Sequence, residues 1–201
     1  MYNYKMKFSH YLKRLQESEE FKKFKKENET SHLCAGFFIL DFEGGKDTHQ
    51  IDYYLPNGKI ATFNLDDGVN LKLSEQTIEN KTVPEIKQES ETDIDILKSI
   101  VEDEMKNRTV TEKVKKIIAI LHMNDNKLIW NLQCILDGLN LLSIHLDDSD
   151  KSILKFDKNS LLGIMKTLPK DKSLSKPQDS SQIKPETQDL QKPAESENKN
   201  L

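Results

Sequence analysis

Residues 55–67, LPNGKIATFNLDD, and residues 136–148, LDGLNLLSIHLDD, are two versions of one pattern set 81 positions apart. Each runs from a leucine through a glycine turn into an alternating stretch and a closing Leu-Asp-Asp. Sliding the chain on itself by 81 gives a gap-free match of Leu33–Asp67 onto Val114–Asp148. The identities are Ile39/Ile120, Leu40/Leu121, Lys46/Lys127, Leu55/Leu136, Leu65/Leu146, Asp66/Asp147 and Asp67/Asp148. Phe37/Ile118, Ile51/Leu132, Ala61/Leu142 and Phe63/Ile144 place apolar on apolar. A strand alternates faces with period two, so a slide that keeps parity keeps the same face buried. The pattern predicts one structural unit written twice.

Working outward, residues 1–78 read as the first unit. A helix is expected over Ser9–Asn28, with Ser9 as its cap and Tyr11, Leu12, Leu15, Phe21 and Phe24 as its apolar stripe. Leu33–Phe42 reads as a largely buried strand, Gly44-Gly45 as a turn, and Gln50–Leu55 as an alternating strand. Asn57-Gly58 is a hairpin signal, since both residues tolerate positive φ. Ile60–Leu65 returns, and Val69–Leu73 follows the Asp66-Asp67-Gly68 turn as a short fourth strand.

Residues 79–91 (ENKTVPEIKQESE) are polar and lack a period, so they read as a linker. The second unit, residues 92–168, repeats the order. Thr92 with Asp95 resembles a capping box opening a helix to about Asn107. Ile94, Leu97, Val101 and Met105 fall on one face of that helix. Val114–Met123, Leu128–Leu136, Leu139–Leu146 and Ile153–Phe156 are its strands, with Asp137-Gly138 as a hairpin turn. The expected fold is α+β: two αββββ units related by a pseudo-two-fold, each helix across an antiparallel sheet. The linker permits either one shared sheet or two separate ones.

Residues 169–201 differ. Prolines recur at 169, 177, 185 and 193, three of them after lysine, and six lysines balance six acids. Too few apolar side chains are present to offset an ordering entropy of roughly 1–2 kcal/mol per residue. The segment is expected to be a disordered tail.

The net charge of −4 gives no footprint for nucleic acid. The cluster Lys22, Lys23, Lys25 and Lys26 is answered by Glu17, Glu19, Glu20 and Glu27. Cys34 and Cys134 sit singly in apolar runs, as buried thiols of a reducing compartment do. The first residues lack the apolar core of a secretory signal, and no stretch nears the ~20 apolar residues of a membrane span. A cytoplasmic protein is expected.

Candidate chemistry is sparse. His10, His32, His49, His122 and His145 lack metal-ligand spacing. The pairs Asp66-Asp67 and Asp147-Asp148 end strands, where adjacent carboxylates point to opposite faces, so they read as turn chemistry. Trp130 shares parity with Leu128, Leu132 and Cys134, which places it in the core. Phosphate-binding, hydrolase and zinc-protease motifs do not occur. No catalytic, cofactor-binding or metal residues are assigned, and no cofactor is expected.

Trp130–Phe156 (WNLQCILDGLNLLSIHLDDSDKSILKF), led by a helix and a strand, resembles a PepSY-type unit. Such units run helix then three strands, with a tryptophan-bearing strand, a glycine hairpin and a strand ending in Asp. The stretch IDYYLPNGKIATFNLDDGVNLKL resembles it more faintly, as in small archaeal proteins with two such units. The family's usual Thr-Gly after the Asp is replaced by Asp150-Lys151. The resemblance implies a non-catalytic binding or inhibitory module and supplies no functional residues. The expected function is protein binding through the sheet face or an edge strand, with another protein as partner. The alternative is a small-ligand binder or enzyme with a pocket between helix and sheet, lined by Phe37, Ile39, Trp130 and Cys134.

Overall fold

The computed structural model describes residues 7–78 and 83–160; the tail expected from Pro169 lies outside the described residues. Two helices, α1 (Phe8–Glu17) and α2 (Glu19–Glu27), precede the first strand and meet at Ser18, whose backbone is extended (φ −73°, ψ 149°). The Ser18 hydroxyl accepts from the Phe21 amide at 3.2 Å and donates to the Leu15 carbonyl at 2.7 Å. Serine competes for backbone groups in this way, so it caps helices well and sits poorly inside them. The single helix expected over Ser9–Asn28 is thus corrected to two; the long gap between Leu15 and Phe21 in the apolar stripe is its trace in the sequence. Nor does Ser9 cap α1, which starts one residue earlier after Lys7. Phe8 sets that start. Its buried ring meets Phe38 edge-on at 6.2 Å.

The strands are β1 (His32–Asp41), β2 (Thr48–Tyr54), β3 (Ile60–Asn64), β4 (Asn70–Leu73), β5 (Val114–Asn124), β6 (Lys127–Leu136), β7 (Asn140–Asp147) and β8 (Ile153–Ser160). They form one antiparallel sheet in the order β4-β3-β2-β1-β5-β6-β7-β8, and the fold is α+β. Each hairpin places sequential strands side by side. At Gly58, φ is +81°, the region that the Asn-Gly turn anticipates. β8 runs four residues past the Phe156 end expected for it. At the centre of the sheet β1 pairs with β5. Phe38 stands opposite Ala119, with Phe37–Ile120 and Ile39–Ile118 on either side. Phe38 and Ala119 are themselves 81 positions apart, the offset of the sequence repeat.

Parity sorts the strands into two faces. Gly36, Phe38 and Leu40 align with Leu121, Ala119 and Ile117, and these with Trp130, Leu132 and Cys134 of β6. Ile51 and Phe63 continue the face through β2 and β3. The helices pack here: Tyr11 tilts against Phe38 at 5.6 Å, and Phe21 and Phe24 meet Phe63 edge-on at 5.4 and 5.0 Å. Burying each such side chain contributes roughly 1.5–3 kcal/mol.

Helix α3 (Leu97–Asn107) follows a 3-10 turn, Ile94–Ile96. Its stripe is as expected, with Ile94, Leu97, Val101 and Met105 all buried. The capping box is not formed. The Thr92 hydroxyl instead donates to the Asp148 carbonyl at 3.0 Å. Ahead of it, residues 83–91 have no helix or strand but are pinned along the start of β1. The Ile86 amide donates to the Leu33 carbonyl at 2.8 Å, and Ile86 is buried.

Candidate functional site

Among the described residues, the helices leave the other face of the sheet uncovered. Phe37 and Ile39 of β1 stand beside Ile120 and Ile118 of β5 there, and all four are only half-buried. Ile135 and Leu141 pair across β6 and β7 and extend the apolar stripe. Around it the side chains are polar and uncharged. Gln50 neighbours Phe37, Asn131 neighbours Ile120, and Gln133 neighbours Ile118. Ser143 Oγ donates to Gln133 Oε1 at 2.7 Å, and Gln133 Nε2 to Asn131 Oδ1 at 3.4 Å, so the amides form a fixed ladder.

Charges stand at the margins, in pairs. Lys116 bridges to Asp41 at 2.9 Å, Lys127 to Asp147 at 2.8 Å, and Lys155 to Asp157 at 3.0 Å. The hydrogen bond from Lys116, helped by the Glu43 and Gly45 amides, holds the Asp41 carboxyl down at about 2. His145 stands beside Asn131 on this face; burial first, then the charges of Lys155 and His122, push its imidazole below its ordinary value. Its neutral form is therefore favoured at neutral pH.

Asp52 is the odd group on this face. It lies between Ala35 and Thr62, and burial raises its carboxyl pKa against a weaker opposing hydrogen bond from Thr62. Its Oδ1 is buried and has no hydrogen-bond partner among the described residues.

The pocket expected between helix and sheet is corrected. Phe37 and Ile39 lie on the uncovered face, whereas Trp130 and Cys134 lie under the helices, fully buried. Residues of opposite parity cannot line one cavity. A 390 Å³ groove does run between α1 and residues 86–90, lined by Phe8, Leu12, Leu33 and Ile86 with Lys13 and Glu89, but it involves none of the four. Both thiols are free, and burial pushes each up to about 12, which removes them as nucleophiles.

The Asp pairs diverge in role. Asp66 Oδ1 accepts both the backbone amide and Nδ1 of His49, at 2.8 and 2.9 Å, and Asp67 is exposed. Burial alone would raise the Asp66 pKa; the bonds from Asn64 and His49 together hold it below the usual range. Turn chemistry accounts for this pair and for Asp147, which also accepts from the Ser149 amide and hydroxyl. It does not account for Asp148, a buried acceptor for groups from two separate segments, Ser90–Thr92 and Trp130. Its signal in the sequence was slight: a tryptophan one hairpin away and a Ser-Glu-Thr stretch far upstream. Among the described residues, no three His, Cys, Asp or Glu side chains converge as metal ligands. Among them, too, no helix is long and apolar enough to cross a membrane.

No protein-family model matches the chain, and no curated protein matches it in sequence. A solved structure is similar to it: that of a "putative lipoprotein" from Clostridium difficile 630, with 12% sequence identity and a TM-score of 0.50. The likeness covers 77% of this chain and 94% of that one. At such identity it is a likeness of fold alone.

Proposed function

We propose that the chain is a non-catalytic protein-binding module, regulatory or inhibitory in role, whose contact surface is the uncovered face of the sheet. One observation carries this. Phe37, Ile39, Ile118 and Ile120 form an apolar centre that no helix of the described residues covers, ringed by uncharged amides. Contiguous apolar patches with polar rims mark interaction sites, and the core of an interface is poor in charge. The edge strands serve less well. β4 has four residues and carries Lys72, while β8 carries Lys155, Asp157 and Lys158, the kind of charged edge that discourages strand addition.

The module is read as two PepSY-type units that arose by duplication. The register supports this: Ile51–Phe63 in β2 and β3 becomes Leu132–Ile144 in β6 and β7 when both residues advance by 81. Gln50–Asn64 becomes Asn131–His145 in the same way. We place the module in the cytoplasm, in keeping with its two unpaired thiols. The name of the fold neighbour suggests a membrane-attached setting instead, and fractionation of cells carrying the tagged chain separates the two.

The deciding experiment is a pull-down with the wild type and Ile118→Glu at matched melting temperature. A stoichiometric partner retained only by the wild type is the expected result; equal retention by the variant moves the contact off this face. Thermal shift against a metabolite panel is the companion measurement. Specific stabilisation by several degrees would favour a small-ligand binder.

A further inference from the structure

If the uncovered face is the contact surface, its own chemistry bears on which partner fits it. We propose that its occupant is a second copy of this chain, the two uncovered faces packing against each other as a sandwich. Three observations converge. The first is charge. The middle of the face presents Thr48, Gln50, Asn131, Gln133 and Ser143 around its apolar centre, with His145 beside Asn131, while Asp52 and the Lys116–Asp41 pair stand in the outer rows. A centre poor in fixed charge meets its own copy with little repulsion, whereas a steered partner of opposite sign would need charges there to answer.

The second is shape. Because β1 and β5 run antiparallel with Phe38 opposite Ala119, a half-turn about that pair exchanges Phe37 with Ile118 and Ile39 with Ile120. The apolar centre therefore presents nearly the same pattern after a half-turn. In an isologous contact each copy offers the same patch, so a centre of this kind seats one copy's Phe37 against aliphatic side chains of the other. Aligned sheets pack about 10 Å apart with their inner side chains interdigitated.

The third is area. In the sheet, β2-β1-β5-β6-β7 is a span of five strands, which at about 4.8 Å spacing is roughly 24 Å across. Four rows of side chains along them add on the order of 25 Å, for roughly 600 Å² per copy. A standard stable interface takes about 800 Å² from each partner. Two such faces bury about 1,200 Å² together, the lower end of the range for stable interfaces.

The test is sedimentation of the full chain over a wide concentration range, with Ile118→Glu and the gentler Gln133→Arg as variants and their melting temperatures as controls for folding. The expected wild-type mass is twice 23.3 kDa, halved in whichever variant melts like the wild type. A monomer at every concentration overturns the proposal, and so does a dimer that survives both substitutions. Binding of a solvatochromic apolar dye then separates the two levels. Dye bound by the wild type and lost in Ile118→Glu leaves the face as a contact surface for a different protein. Dye binding that ignores the substitution removes that reading as well.

Discussion

Trp130 Nε1 donates to Asp148 Oδ1 at 2.7 Å, with both side chains almost sealed from solvent. The same carboxylate accepts from Ser90 Oγ at 2.6 Å, from the Glu91 amide at 2.7 Å and from the Thr92 amide at 3.3 Å. One side chain thus ties the end of the connection between the halves to the hairpin of the second half. Advancing His49 and Asp67 by 81 gives these two positions, yet His49 bonds to Asp66 and Asp67 stays exposed. Only one half carries the clamp.

Removing the clamp leaves several buried donors without an acceptor, at about 1–3 kcal/mol for each unsatisfied group. Asp148→Ala is expected to lose roughly 3 kcal/mol or more, and Asp67→Ala no more than about 0.5 kcal/mol. Urea unfolding with unchanged m-values measures both. Equal losses would show that the clamp contributes nothing special.

Asp147 predicts an acid transition. The hydrogen bond from Lys127, then those from Ser149, lower its carboxyl pKa to about 2. A carboxyl depressed in the folded state stabilises the fold above its unfolded pKa, and that stability is lost as pH falls from about 4 towards 2. Lys127→Met should flatten part of the decline in urea midpoint across that window. A parallel pH profile in wild type and variant would assign the acid sensitivity to other carboxylates, Asp41 first among them.

Gly36 is a packing constraint. A Cβ there would sit 2.7 Å from Cε2 of the buried Phe8 ring. Gly36→Ala should cost roughly 1–3 kcal/mol by overpacking. Phe8→Leu in the same chain should return part of that loss, because the contact goes with the ring. A purely additive double mutant would place the strain elsewhere.

The sheet was legible because it rests on local signals. The glycine turns and the alternation around Ile51, Phe63, Leu132 and Ile144 fix hairpins, and hairpins fix neighbours. The stripe of α3 was legible for the same reason. What escaped depends on partners distant in sequence. Ser18 breaks a helix because its hydroxyl finds the Phe21 amide and the Leu15 carbonyl, an outcome that composition does not announce. Thr92 looks like a cap until Asp148, 56 positions on, takes its amide. Phe37 and Trp130 both look like core, and alternation within each strand cannot say how the two strands are phased. That phase comes from the β1–β5 pairing, set between halves of the chain with no turn to signal it.

Asp52 gives the opposite pH dependence to Asp147, from the uncovered face itself. Burial raises its carboxyl pKa, and no partner among the described residues satisfies its Oδ1. Below pH ~4 both folded and unfolded chains hold the proton, so the group costs little charge desolvation. As pH rises through the ordinary value, the unfolded chain ionises first and the folded state loses stability until its own, higher pKa is passed. Asp52→Asn abolishes that loss. The variant should be more stable than wild type at pH 7 and gain nothing at pH 3, as read by urea midpoints. If the chain pairs through this face, Asp52→Asn should also remove the pH dependence of self-association that an ionising carboxyl in a dry interface imposes. A gain equal at both pH values would trace to the side chain's shape rather than its charge, and would show that the Asp52 pKa is the same in the folded and unfolded chains.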